Sequence, residues 1–169
     1  EFLLRELRAD NGRWFRSWHA DGQPPARHMA LAADHAALVD AFTHLAEASG
    51  EARWIDEAMR TADTMLDWFF DPEQGGLFTT AEDAEALVVR QKDITDGATP
   101  SANSSAAIAL FRLAALTGEQ RYANHADRIL QLLAARLATS TSQFSNALVA
   151  ADLRRRGITE VVIAGDRPD

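Results

Sequence analysis

The residues best placed to do chemistry fall in two groups. Asp34 and His35 stand at the head of one apolar-periodic run, and Asp96, Ser101 and Asn103 gather at the head of another. Two carboxylates about 5 to 9.5 Å apart would suit glycoside hydrolysis, one as acid and one as base or nucleophile. Asp34 and Asp96 form such a pair only if the two helix starts are neighbours. A histidine at the rim, His35, would suit an epimerase-like proton transfer. Trp14 and Trp18 offer an aromatic platform for a sugar ring. Each group also has a local role that suffices to explain it. Asp34 is placed to N-cap the helix that follows, Asp96-Gly97 is a turn pair, and Thr99-Pro100 reads as N-cap followed by an N1 proline.

Other chemistries are disfavoured. There is no cysteine, which removes disulfides, thiolate nucleophiles and cysteine-bound metals. The five histidines, at 19, 28, 35, 44 and 125, show no compact ligand spacing, so no metal site is expected. No phosphate loop, nucleophile elbow or dinucleotide fingerprint occurs, and no cofactor is implied. Gly165-Asp166, after the strand-like Val161-Val162-Ile163, lacks the following glycine-bearing helix and reads as a connector. A net charge of -8 disfavours nucleic acid and anionic membranes as partners. The run Arg154-Arg155-Arg156 closes a helix, where cations suit the dipole, and Glu82-Asp83-Ala84-Glu85 reads as a solvated loop. Asn103-Ser104-Ser105 matches a glycosylation sequon but opens a packed helix. With no apolar run of membrane-spanning length and no signal-peptide pattern, a cytoplasmic protein is expected.

The elements that must position these groups follow from an internal repeat. At an offset of 68 residues, the distance from Gly50 to Gly118, Leu45 meets Leu113, Ala46 meets Ala114, Glu51 meets Glu119, Arg53 meets Arg121 and Trp54 meets Tyr122. Such a period marks a repeated supersecondary unit. Each unit is a helical hairpin whose first helix ends at a glycine and whose second begins at a G-E-x-R connection. The second helix of the first copy is amphipathic, with Trp54, Ile55, Ala58, Met59, Ala62, Met65, Leu66 and Phe69 in one stripe. The first helix of the second copy is apolar nearly all round, since Arg112 is its one polar residue between Ala106 and Leu116. A buried helix paired with a half-exposed one, repeated, predicts two concentric layers. A third copy opens near Gln143, with Phe144, Ala147, Leu148 and Ala151 at helical spacing before Gly157. Phe2, Leu3, Leu4 and Leu7 give a short N-terminal helix without a cap. Arg13 to Trp18 with Asp21-Gly22 predicts a strand and turn; Gly75 to Thr79, with Leu87-Val88-Val89 as partner, predicts another. The fold class is all-α: a single domain over 1–169, a partial (α/α) toroid of repeated helical hairpins with short β-hairpin loops.

FTTAEDAEALVVRQKDITDGATPSANSSAAIALFRLAALTGEQRY, from Phe78, and the closing EVVIAGD together carry a family resemblance. The chain resembles the C-terminal helical region of the spermatogenesis-associated, thioredoxin-domain-containing proteins and their bacterial counterparts. The D-G-A-x-P-S-x-N-S segment with the closing E-V-V-I-x-G-D is quite specific. The resemblance implies an (α/α) toroid related to six-hairpin glycosidases and N-acylglucosamine 2-epimerases. It also implies that the thioredoxin-like domain and earlier hairpins of the family are absent, leaving a fragment of about half the ring. Two positions depart from the pattern: Ala102 stands where the family has glycine, and His35 where it has tyrosine.

The expectation is therefore a non-catalytic or incomplete toroid that binds a small polar, sugar-like ligand through Asp34, His35, Asp96, Ser101 and Asn103. Two alternatives stand beside it. One is a sugar hydrolase or epimerase using the rim carboxylates or His35. The other is a protein-interaction scaffold that self-associates through exposed hairpin faces.

Overall fold

The computed structural model describes residues 1–84, 89–159, 161 and 165. Six helices account for most of them: α1 (Phe2–Glu6), α2 (Ala32–Ser49), α3 (Arg53–Phe69), α4 (Ala102–Thr117), α5 (Gln120–Leu137) and α6 (Ser145–Arg156). Two short strands, β1 (Phe15–Trp18) and β2 (Ala26–Met29), form an antiparallel pair with Phe15 opposite Met29. The strand expected at Arg13 to Trp18 is present as β1. The expected Gly75 to Thr79 strand is reduced to one bridge, Phe70 opposite Leu77, and most of its proposed partner at Leu87-Val88-Val89 lies outside the described residues. The terminal Val161-Val162-Ile163 run lies largely outside them too.

The 68-residue repeat is a repeat of structure. α2 and α3 form one hairpin, α4 and α5 the next, and both first helices end on a glycine in the left-handed region, Gly50 at φ 67° and Gly118 at φ 73°. Only glycine takes that conformation freely, so the same residue closes the same turn twice. α2, α4 and α6 pack side by side as the inner layer, while α3 and α5 back them. Alanine makes this close approach possible: Ala32, Ala36, Ala58, Ala62, Ala102, Ala106, Ala107, Ala109, Ala126, Ala147 and Ala150 are all buried. Larger side chains fill the space between layers, among them Phe69, Met65, Leu110, Leu113, Ile129 and Leu133. Burying each is worth about 1.5 to 3 kcal/mol. α4 touches α2, α3, α5 and α6, which accounts for its apolar circumference. The structure is a partial helical toroid, as the pattern predicts.

The N-terminal segment closes one side. Trp14 is 1% exposed and lies against Phe42, which stacks in turn on Trp54 at 5.9 Å. Arg8 covers the Trp14 ring and pairs with half-buried Glu57 of α3. Trp14 is thus a core residue and not a platform. Trp18 meets Phe2 edge-to-face at 5.2 Å.

The polar segment between α3 and α4 is fixed in place by its own charges. Arg90 donates to the carbonyls of Trp68 and Thr80 and lies over Phe78, and Lys92 donates to Asp71 and to the Gly75 carbonyl. Burial opposes ionisation of Asp71, but Lys92 and the N–H groups of Gln74 and Glu73 outweigh it and hold its pKa at about 2. The segment then meets Asn103, whose side chain accepts from Leu77 N–H at 2.7 Å and donates to the carbonyls of Leu77 and Asp93 at 3.0 and 2.7 Å. Gly76 lies against this amide, and a Cβ there would sit 2.9 Å from Asn103 Oδ1. Asn103 thus works as a buried clamp between α4 and the loop. Asn103→Ala leaves the N–H and carbonyl of buried Leu77 without that partner, so it should lower stability by about 2 to 4 kcal/mol, read from urea unfolding.

Candidate functional site

The first helical turns of the inner layer gather at one rim. A cleft of about 580 Å³ is lined by Ala33, Asp34, Ala36, Ala37 and Asp40 of α2, by Thr99 and Pro100 before α4, by Ser105 and Ile108 of α4, by Asn146 of α6 and by Arg16 of β1. Its lining mixes small apolar side chains with carboxylates, hydroxyls, an amide and a guanidinium.

Each helix start meets its unpaired N–H groups with side chains from nearby. α2 starts one residue after Leu31, so Asp34 is not its N-cap; the carboxylate sits in the first turn and reaches back to accept from Leu31 N–H at 2.8 Å. This is the acidic half of a capping box, and it also sets Asp34 3.5 Å from Arg16. α4 is capped by Ser101 and not by Thr99: its hydroxyl accepts from Ser104 N–H at 3.1 Å. The reason is supply, because Asp96 already accepts from Ser101 N–H at 2.9 Å and Asp93 from Ala102 N–H at 3.1 Å. The helix therefore begins two residues beyond the proline. Ala102, where the family pattern has glycine, is buried at the first helical position with no strain to relieve.

Asp96 does more than start α4. Its second oxygen accepts from Asn146 N–H at 2.7 Å, and its own N–H donates to the Gln143 carbonyl at 2.8 Å. One carboxylate thus ties the starts of two successive inner helices. Burial raises its pKa, but the N–H groups of Ser101 and Asn146 outweigh this and hold it below the usual carboxylate value.

The five residues singled out in the sequence separate accordingly. Asp34 lines the cleft, and Asp96 stands behind it, joined to the lining through Asn146. Ser101 and Asn103 are 1% and 0% exposed, with their polar atoms turned to the backbone and to Ser104. His35 is 0% exposed; its Nδ1 donates to the Leu31 carbonyl at 2.9 Å and its ring packs on Phe69 at 5.0 Å. Burial is the main cause that lowers its pKa, outweighing that hydrogen bond and the charge of Asp34, so at neutral pH it is an uncharged core group.

Sequence reasoning missed Arg16, Asp40, Ser105 and Asn146. The signal for Asp40 and Ser105 was present as helical spacing, since Asp40 lies seven and three residues after Ala33 and Ala37, and Ser105 seven residues before Arg112 on a largely apolar helix. Deeper along the inner layer, Arg112 of α4 approaches Asp40 at 3.7 Å and pairs with Glu47 at 2.6 Å. Among the described residues no group of three His, Asp or Glu could hold a metal ion, and no helix is long and apolar enough to cross a membrane.

A layered array of helical hairpins with a polar cleft at the inner rim defines a helical toroid. A solved example is cellobiose 2-epimerase of Spirochaeta thermophila, which superposes with a TM-score of 0.61 at 24% identity, over 78% of this chain and 34% of that one. No family model matches. In sequence the chain is 34% identical to spermatogenesis-associated protein 20 of Mus musculus over 98% of its length, covering 22% of that protein. It is also 34% identical to the Homo sapiens protein over 79% of its length, covering 17%. The chain belongs to the family of these spermatogenesis-associated proteins and spans about a fifth of their length.

The capping geometry yields a stability test. Asp96→Asn replaces one acceptor by an NH₂ facing an N–H, and should cost about 1 to 3 kcal/mol by thermal or urea unfolding. The lowered pKa means that Asp96 stabilises fully above its unfolded pKa and loses that contribution as pH falls through the lower folded value. The gap between wild type and variant should therefore narrow as pH drops below about 4.

Proposed function

We propose that the cleft binds a small, polyhydroxylated, sugar-like ligand and that this chain, taken alone, is a binding wall without a complete catalytic set. The observation that carries the reading is the convergence of three inner helix starts on one cleft whose lining mixes apolar and polar side chains. Ala33, Ala37, Pro100 and Ile108 suit the C–H face of a ring, while Asp34, Asp40, Thr99, Ser105 and Asn146 suit its hydroxyls. The toroidal likeness to a cellobiose 2-epimerase supports a carbohydrate. The burial and neutrality of His35 weigh against it as the proton-transfer group of an epimerase, and the cap bonds of Asp96 weigh against it as a free acid or base.

Calorimetric titration with cellobiose tests the reading. Binding should be measurable with wild type and lost in Ser105→Trp, whose indole fills the cleft while leaving every capping bond in place. Absence of binding, or equal binding by the variant, would remove the cleft as the site. Turnover of cellobiose at an enzymatic rate by this chain alone would refute the non-catalytic part.

A second reading attaches to α6, which packs on α4 and α5 and exposes Leu148 at 41% and Val149 at 49%. Such a face favours self-association. Light scattering should show a dimer at high protein concentration, and monomer throughout the range would count against it.

A further inference from the structure

The same cleft bears on which sugars it would admit, an inference that rests on the ligand class proposed above. A helix start ordinarily attracts anions, through free N–H groups and the positive end of the dipole. At the start of α4 those donors are already taken within the protein. Asp96 and Asp93 hold the N–H groups of Ser101 and Ala102, Asp96 also holds that of Asn146, and Asp34 holds that of Leu31. Within α4 the next N–H groups bond Asp93, Ser101 and their own turn. The start of α4 thus presents filled donors with negative charge beside it, and Asp34 and Asp96 place carboxylates at the starts of α2 and α6.

The cations do not reverse this balance. Arg16 is drawn to Asp34, and Arg112 is shared between Asp40 and Glu47. Asp93 and Asp96 have no cationic partner among the described residues. Asp34 and Asp40, which line the cleft, keep lone pairs free for donors from a ligand.

We propose that the cleft selects an uncharged polyhydroxylated ring and rejects the same ring bearing a carboxylate or phosphate. Hydroxyl groups donate to Asp34 and Asp40, whereas an added anion meets like charge and finds no unpaired N–H at the start of α4. A uronic acid or sugar phosphate keeps its other hydroxyl contacts but incurs repulsion from these carboxylates.

Calorimetry with two matched disaccharides decides the matter: cellobiose, and cellobiouronic acid, which differs by a carboxylate at C6 of one ring. The neutral sugar should bind at least about tenfold more tightly, a gap that shrinks at high salt as the charges are screened. In Asp40→Asn, with melting checked against wild type, the acidic sugar should recover about threefold or more relative to the neutral one. Equal affinity for the two sugars, or a gap insensitive both to salt and to Asp40→Asn, would overturn the selectivity and leave the sugar-binding reading intact. If neither sugar binds, both proposals fall together.

Discussion

The need to satisfy backbone N–H groups at the starts of the inner helices governs the architecture of this rim. Helix starts leave several donors unpaired, and a buried unpaired donor is costly. In this chain the loop before α4 supplies the acceptors. Asp93 and Asp96 serve α4, Ser101 completes the turn, and the second oxygen of Asp96 reaches α6. The register between successive inner helices is thereby set by one carboxylate and not by apolar packing alone. Apolar contacts between alanine-lined helices slide at little cost, whereas two hydrogen bonds from one side chain fix a position.

That arrangement gives the loop its own requirements. It must arrive at the right height, so Lys92 and Arg90 bind it to the end of α3 and to the turn carrying Gly75 and Gly76. Asn103 then joins the loop to α4 through three bonds at no exposure. The polar stretch that looks most like a catalytic motif is largely occupied by this bracing. The cleft itself is lined by side chains that capping leaves half-exposed, Asp34, Asp40, Ser105 and Asn146 among them.

Much of the fold was legible because it rests on periodicity and on glycine. The 68-residue repeat, the left-handed caps at Gly50 and Gly118 and the apolar circumference of α4 all follow from residue types that have few other uses at those spacings. The exact helix starts were less legible. Thr99-Pro100 has the local chemistry of a cap, yet Ser101 takes the position because Asp93 and Asp96, three and more residues upstream, offer better acceptors to the following turn. Asp34 likewise moved from cap to first turn, since Leu31 N–H lies within its reach. Sequence spacing cannot rank acceptors whose distances are set by a loop's path.

The chain by itself determined that there would be paired helices, which of them would be buried, and where polar groups would meet helix starts, because these follow from side-chain type and a fixed period. Only the tertiary structure decided that His35 faces Phe69 and not a cavity, that Asp96 serves two helices, and that Arg16 and Asn146 share a cleft with Asp34. The physical reason is that a helix fixes the angle between its own side chains, whereas which neighbours those side chains meet depends on contacts between residues as many as 130 positions apart, from Arg16 to Asn146.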